Sequence, residues 1–82
     1  MQVVLSKIAE KHLKHRPKLE QSKVKKKLLL LADDPFSGKK LSGELEGIRS
    51  LRVWPYRIIY KINAVQKLVE VGAILHRQGA YK

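Results

Sequence analysis

The segment from Tyr56 to Ile62 constrains the fold more than any other part of this sequence. One face of this segment carries Tyr56, Ile58, Tyr60 and Ile62, and the other carries Arg57, Ile59 and Lys61. A repeat of two residues is typical of a β-strand that buries one face. Such a strand must pair with others in a sheet, and the sheet needs a second layer to cover its apolar face.

Neighbouring segments supply the other strands. Ile48 to Trp54 also alternates, and Trp54-Pro55 is predicted to form the tight turn that follows it. Residues 63–66 are predicted to connect a second hairpin. Leu68 to Leu75 is almost entirely apolar, which predicts a central strand covered on both faces. The apolar start, Met1 to Leu5, predicts an opening strand.

The segment after Leu5 has the helical repeat instead. Ser6 is predicted to cap a first helix, and Pro17 is expected in the first turn of a second helix that ends at Asp33-Asp34-Pro35. Residues 35–47 hold three glycines and are predicted to form a loop. The apolar side of the first helix is indicated by the helical spacing of Leu5, which precedes the cap, and of Ile8, Ala9 and Leu13. The second helix is expected to bury a stripe made of Leu19, Val24, Leu28, Leu31 and Ala32.

The predicted order of elements is β-α-α-β-β-β. Helices and strands that are segregated along the chain indicate the α+β class. A length of 82 residues is enough for one small domain and leaves no room for a second. The sequence therefore predicts a single domain over residues 1–82, with two helices packed on one side of a mostly antiparallel sheet.

The charge and the composition narrow the range of functions. Lys and Arg number 18 against 7 Asp and Glu, for a net charge of +11, which indicates an anionic partner. The absence of cysteine excludes disulfides, cysteine-ligated zinc, iron–sulfur clusters and thiol nucleophiles. No uncharged stretch approaches the roughly 18 residues of a membrane span. We therefore expect a cytoplasmic protein that does not bind membranes.

Common catalytic and metal motifs are missing from the sequence. His12 and His15 are three residues apart, but no third ligand lies near them, and solvated surface histidines explain the pair. The carboxylates are scattered, and the sequence has neither a nucleophile elbow nor a phosphate-binding glycine loop. No metal and no cofactor are predicted.

Basic residues are the remaining candidates for a site. A turn at Trp54-Pro55 places Arg52 and Arg57 close together across the strand pair, where they repel each other unless an anion lies between them. A phosphodiester matches the guanidinium fork. Solvated charges that keep a strand edge soluble are the alternative. The cations considered are Arg49, Arg52, Arg57, Lys61 and Arg77 on the strands, and Lys39 and Lys40 in the loop.

Two other features bear on nucleic-acid binding. The lysine run from Lys23 to Lys27 is either a solvated helix face or a nonspecific grip on a polyanion. Aromatic residues stack on bases when they are exposed. We expect Trp54, at a turn, to be exposed and Tyr60 to lie in the core.

Two segments resemble the RelE/ParE superfamily of bacterial and archaeal toxins: DDPFSGKKLSGELEGIRSLRVWPYRIIYKI, residues 33–62, and VEVGAILHRQGAYK, residues 69–82. The most specific match is YRIIY, from Tyr56 to Tyr60. The second is His76-Arg77 followed by Tyr81. The predicted order of helices and strands is also the architecture of this superfamily.

The resemblance implies the toxin of a type II toxin–antitoxin system. RelE-like members cleave mRNA in the ribosomal A site without a metal, by attack of the ribose 2′-hydroxyl on its own phosphodiester. We therefore expect a ribosome-dependent endoribonuclease that inhibits translation, with a RelB-like antitoxin, the ribosome and mRNA as partners. A ParE-like inhibitor of DNA gyrase and a catalytically inactive RNA-binding member are the alternatives.

The resemblance also implies roles for individual residues. Arg57 matches the strand arginine of the family, Arg77 the basic residue at the end of the last strand, and Tyr81 the C-terminal tyrosine. Arg52 matches a basic position on the preceding strand, and His76 joins Tyr81 as a candidate for proton transfer. The residues expected to bind nucleic acid around this catalytic set are Arg49, Lys39, Lys40, Lys61 and Trp54.

The chain departs from the family pattern at several positions. Ser50 stands where many RelE-like members have a second strand cation, for which Arg49 is the expected substitute. Lys39-Lys40 occupies the loop from which some relatives supply a glutamate base, and Leu75 replaces the usual glycine before His-Arg. The fold expectation is unaffected by these changes, which concern the chemistry of proton transfer.

Overall fold

The computed structural model describes residues 1–41 and 47–76. Two helices and five strands follow one another in the α+β arrangement predicted from the sequence. Their bounds are β1 (Gln2–Leu5), α1 (Lys7–Lys14), α2 (Lys18–Asp33), β2 (Lys39–Lys40), β3 (Ile48–Val53), β4 (Tyr56–Asn63) and β5 (Leu68–His76).

The strands form one mixed sheet in the order β1-β5-β4-β3-β2. β1 and β5 pair in parallel, whereas the other three pairs are antiparallel, as expected for a mostly antiparallel sheet. β2 is an addition to the predicted order, because the segment around Lys39 and Lys40 was expected to be entirely loop. These two lysines pair with Ser50 and Arg49 at the edge of the sheet.

The ends of the helices follow the expected local chemistry, with one shift. The Ser6 hydroxyl accepts a hydrogen bond from the Ala9 amide at 3.0 Å and donates one to the Gly72 carbonyl at 3.0 Å. It therefore caps α1 and also ties that helix to β5. Pro17 lies just before α2, which begins at Lys18, so the proline precedes the first turn instead of occupying it. The Asp34 amide donates to Leu30 at 2.8 Å where α2 ends.

The core lies between the helices and one face of the sheet. Ala9 and Leu13 from α1 and Val24 and Leu31 from α2 are buried, as predicted. The sheet contributes Val53, Tyr56, Ile58, Tyr60, Val69, Val71 and Ile74. No helix in the described ranges has the length and apolar character that crossing a bilayer requires.

Two of the predicted core positions are wrong. Ile8 is 62% exposed and Leu19 is 83% exposed. Both fit the helical repeat, but they lie at the margins of the buried stripe. A repeat defines which side of a helix is apolar, whereas the neighbouring elements decide how much of that side is covered.

The other face of the sheet is not covered by α1 or α2, and we call it the open face. Gly72 is exposed, and Ala73 and Leu75 are half-buried, so the prediction that β5 is covered on both faces is wrong. Alternation along paired strands assigns the remaining members of this face. They include Val4, Lys39, Ile48, Ser50, Arg52, Arg57, Ile59, Lys61 and Glu70.

Candidate functional site

The clearest group of predicted site residues on the open face is the arginine pair, Arg52 and Arg57. They are direct partners in the register of β3 and β4, at the end of the sheet next to the Trp54-Pro55 turn. Residues opposite each other in an antiparallel pair have β-carbons about 4.5–5.5 Å apart and point to the same face. Two guanidinium groups therefore start from adjacent positions, and an anion between them would relieve their repulsion.

Arg49 lies on the other side of the sheet from the arginine pair. Its Nη1 donates to the Gly38 carbonyl at 3.0 Å, and its guanidinium lies 5.0 Å from the centre of the Phe36 ring. Ser50, which is buried, is on the open face next to Lys39. Arg49 consequently holds the loop before β2 and does not occupy the position expected for a second strand cation.

The lysines predicted to bind nucleic acid are dispersed. Lys39 reaches the open face from the edge strand β2, whereas Lys40 pairs with Arg49 and shares its face. Lys61 is exposed on the open face opposite Glu70. Lys61 is four positions from Arg57 along β4, a distance of about 13 Å. Of these three lysines, Lys39 is therefore the one that lies on the open face near the β3 edge, on the same strand side as Arg52.

An apolar depression adjoins Lys61 instead. It has a volume of about 390 Å³ and is lined mainly by aliphatic side chains and glycine, with Lys61 and Glu70 beside them. Val4, Ile48 and Ile59 are among its aliphatic lining residues. The open face thus divides into a basic end near the Trp54-Pro55 turn and an apolar part further along β4 and β5.

His76 closes the basic end of the sheet but faces the helices. It pairs with Tyr56, and the two rings meet edge to face with their centres 5.5 Å apart. Arg16, which the sequence analysis did not single out, lies 4.8 Å above the Tyr56 ring. Its Nε is buried and has no hydrogen-bond partner within the part of the chain that the structure describes. His76 and Arg57 therefore leave the same end of the sheet on opposite faces.

Arg77 and Tyr81 lie outside the described residues. Arg77 directly follows His76 in the sequence, and Tyr81 is four residues further on. Their roles at the phosphate and in proton transfer stay predictions.

Trp54 is 56% exposed, as expected for a residue at the turn between β3 and β4. The peptide bond between Trp54 and Pro55 is cis. Lys23 of α2 donates from Nζ to the Trp54 carbonyl at 3.2 Å, which fixes the helix to the turn. This contact brings the helical lysine run beside Arg52 and Trp54, a proximity that no local sequence pattern predicts.

Tyr60 belongs to the core, as expected. Its hydroxyl donates to the Pro35 carbonyl at 2.8 Å and accepts from the Gly38 amide at 3.0 Å. Burial raises the pKa of the Tyr60 phenol above its ordinary value of 10.0, against the opposing effect of the Gly38 hydrogen bond. A neutral hydroxyl that is fully hydrogen-bonded is structural, and it holds the loop before β2 against the sheet.

The two histidines of α1 have separate contacts. The His12 Nδ1 accepts a hydrogen bond from the Ile74 amide at 3.2 Å, and the His15 Nδ1 lies 2.7 Å from the Lys11 carbonyl. His12 is thus half-buried against β5 and is not the solvated surface residue that was expected. Among residues 1–41 and 47–76 no three His, Cys, Asp or Glu side chains are grouped closely enough to hold a metal ion.

Comparison with solved structures places this architecture among the RelE-like toxins. The chain is 28% identical to a chain of the toxin–antitoxin complex RelBE2 from Mycobacterium tuberculosis, with a TM-score of 0.86 over 93% of this chain and 96% of that one. The isolated RelE toxin of E. coli gives 19% identity and a TM-score of 0.79, with coverage of 92% and 82%.

An archaeal relative has the same fold. The RelE–RelB complex from Pyrococcus horikoshii OT3 matches with 22% identity and a TM-score of 0.77, over 96% of this chain and 97% of that one. A comparison with curated protein sequences found no significant match.

A family model covers almost the whole chain. The model describes the ParE toxin of type II toxin–antitoxin systems, parDE, and it matches residues 3–81. This match includes both segments in which the sequence resembles the RelE/ParE superfamily. The chain therefore belongs to the ParE toxin family of type II toxin–antitoxin systems.

Proposed function

We propose that this toxin is a ribosome-dependent endoribonuclease that cleaves mRNA in the ribosomal A site and so inhibits translation. The observation that carries the proposal is the arginine pair, two cations directly opposite each other on the open face of the sheet. Such a pair is electrostatically unfavourable by itself and suits an anionic substrate. The net charge of +11 also favours association with ribosomal RNA.

The reaction needs an attacking hydroxyl, a stabilised phosphorus centre and a leaving group. The ribose 2′-oxygen attacks the adjacent phosphorus and loses its proton, while the bond to the 5′-oxygen breaks and that oxygen gains a proton. The products are a 2′,3′-cyclic phosphate and a 5′-hydroxyl. Negative charge accumulates on the non-bridging oxygens in the transition state, and fixed cations stabilise that charge more than they stabilise the starting diester.

The roles of the side chains follow from this charge distribution. We assign Arg57 and Arg77 to the phosphate oxygens and Arg52 to the same phosphate or its neighbour. Tyr81 is assigned to proton transfer. His76 is kept as the second candidate, although its ring leaves the sheet on the face opposite Arg57 and would have to reach the phosphate around the end of β5. A tyrosine is a poor base at its ordinary pKa of about 10, so Tyr81 requires nearby cations to lower that pKa. The family supplies the last-strand and C-terminal roles, and no metal takes part.

The partner that controls this activity is an antitoxin. Several of the similar solved structures are toxin–antitoxin complexes that contain RelB. We propose that a RelB-like antitoxin from the same operon covers the basic surface. A segment that orders on binding and carries acidic residues would match the charge of the toxin. Action on ribosomes places the protein in the cytoplasm.

Inhibition of DNA gyrase is the second candidate function, because the matching family model is that of the ParE toxin. In that case the chain acts as a binding protein and cleaves no nucleic acid. The basic surface would then contact gyrase or its DNA.

One experiment separates the two functions. The purified chain is added to a translating lysate, the 5′ ends of the mRNA are mapped, and gyrase supercoiling is assayed in parallel. Cuts in phase with codons that disappear in Arg57→Ala support the nuclease, with Lys7→Ala on the exposed start of α1 as the charge-matched control. Intact messages together with inhibited supercoiling would identify a gyrase inhibitor.

A further inference from the structure

A second cationic feature, which shares Arg52 with the proposed catalytic set, lies between α2 and the end of β3. It is a groove of about 500 Å³, lined by three lysines and a leucine of α2 and by three residues at the end of β3 and the β3–β4 turn. We call it the basic groove, and it is defined by Lys23, Lys26, Lys27, Arg52 and Trp54. Among the described residues that line it, none is acidic.

The spacing of the lysines creates one wall of the groove. Positions three and four residues apart lie on the same side of a helix, so Lys23, Lys26 and Lys27 project together from α2. Lys25 is on another side of the helix, where it lines a separate depression with Glu10 and Lys14. The run Lys23 to Lys27 is therefore divided between two surfaces.

A hydrogen bond holds this lysine wall of α2 close to the β3–β4 turn. Lys23 Nζ donates to the Trp54 carbonyl at 3.2 Å and lies 3.4 Å from a carboxylate oxygen of Glu20. Lys23 is thus largely engaged in joining α2 to the β3–β4 turn. Lys26 and Lys27 remain as the helical cations that face the groove across from Arg52.

The groove also offers an aromatic surface. Trp54 is 56% exposed and Leu30, at the other side, is 51% exposed. An exposed tryptophan beside clustered cations is the combination that binds single-stranded nucleic acid, with the base stacked on the ring and the phosphates against the cations. An acidic protein segment would use the cations but would have less use for a flat aromatic ring.

Arg52 connects the basic groove with the proposed cleavage site. It lines the groove, and it is also the direct strand partner of Arg57. A strand of RNA whose phosphate lies at Arg57 needs to extend only past Arg52 to reach Lys26, Lys27 and Trp54. We propose that the basic groove binds the single-stranded RNA next to the scissile phosphate, with one base stacked on Trp54. This inference deepens the proposed function and rests on it for the identity of the bound RNA.

The test measures RNA binding apart from cleavage. A fluorescein-labelled single-stranded RNA of 12 nucleotides is titrated with the full-length chain at several salt concentrations. For single strands each phosphate contact contributes about 0.7 to the slope of log K against log salt, so Lys26→Gln/Lys27→Gln should lower that slope by about 1.4. Trp54→Ala should weaken binding by about 5- to 150-fold, and Trp54→Phe should restore part of the loss.

The control is a double variant with the same loss of charge on the other side of α2. Lys14→Gln/Lys25→Gln lies in the depression between α1 and α2 and should change the slope by much less than the groove variant. Thermal unfolding of every variant verifies that it is folded. Equal slopes for the two double variants would overturn the proposal.

Two further measurements distinguish a failure of the groove proposal from a failure of the proposed nuclease function. If the groove variants bind RNA as the wild type does but lose the co-expressed antitoxin, the groove is a protein site and the inference is wrong. Cleavage in the translating lysate is scored separately, because it tests the proposed function. RNA binding that depends on Lys26, Lys27 and Trp54 supports the groove even where no mRNA is cut.

Discussion

Arg57 of β4 faces Arg52 of β3 across the hairpin, so two like charges occupy directly opposed positions in the sheet. Like charges directly opposite each other are unfavourable for folding, and under the proposed function the same pair holds a phosphodiester. Activity and stability are therefore expected to respond in opposite directions when Arg52 is changed.

Arg52→Gln should raise the free energy of unfolding by up to about 1 kcal/mol, since it removes a like-charge pair. The same change should reduce cleavage in the lysate by about 10²- to 10³-fold, the usual cost of losing one donor to a developing negative charge. Urea unfolding and mapping of mRNA 5′ ends are the two measurements. A variant that cleaves normally would show that Arg52 has no role at the phosphate.

Gly38→Ala should destabilise the protein by about 1–3 kcal/mol, as expected of overpacking. A β-carbon at Gly38 would overlap the phenol of the buried Tyr60. Gly72→Ala is the matched control, because its β-carbon would come no closer than 3.9 Å to the Ile59 carbonyl oxygen. Thermal unfolding of both variants tests the pair, and equal losses would mean that the loop moves to accommodate the added methyl group.

Tyr60→Phe should cost about 1–3 kcal/mol, because it leaves the Gly38 amide and the Pro35 carbonyl without their partner. Burial raises the pKa of Tyr60, so the folded state keeps the phenolic proton where the unfolded chain begins to lose it. Its contribution is therefore complete below about pH 10 and declines as the pH rises further. The difference in unfolding free energy between wild type and Tyr60→Phe, measured from pH 8 to 11, should shrink at the alkaline end. A difference that grows there would contradict this sign.

His12→Ala should lower the free energy of unfolding by about 1 kcal/mol, since the Ile74 amide loses its acceptor. Growth inhibition in cells should be unchanged, because His12 is not part of the proposed site. His15→Ala, which loses an exposed contact to Lys11, should have a smaller effect on stability. A large loss of toxicity in a folded His12→Ala protein would require a role for this residue in the reaction.

The sequence predicts the strands well where the pattern is local. The alternation around Tyr56 to Ile62 and the turn at Trp54-Pro55 are both present in the structure. β2 was missed because two residues carry no periodicity, and because Lys39 and Lys40 become a strand only through pairing with β3. Leu19 fits the helical repeat but lies in the first turn of α2, where neither the sheet nor α1 covers it.

The candidate site also contains some contacts that the local sequence predicts and others that depend on the packing of distant elements. The opposition of Arg52 and Arg57 follows from the position of one turn, so it could be predicted. Arg16 could not, because its contact with Tyr56 depends on where the end of α1 packs against the sheet. The spacing of Lys23, Lys26 and Lys27 was a usable signal for one helix face, but only the fold brings that face beside Trp54.

The position of β5 between β1 and β4 also determines when the domain can assemble during synthesis. Among the strands that the structure describes, β1 pairs with β5 alone, more than 60 residues later in the chain. Until residues 68–76 leave the ribosomal exit tunnel, the first strand and the β3–β4 hairpin have no backbone ladder between them. A nascent chain therefore remains without its complete sheet until then, and we expect the sheet to close only after β5 has emerged.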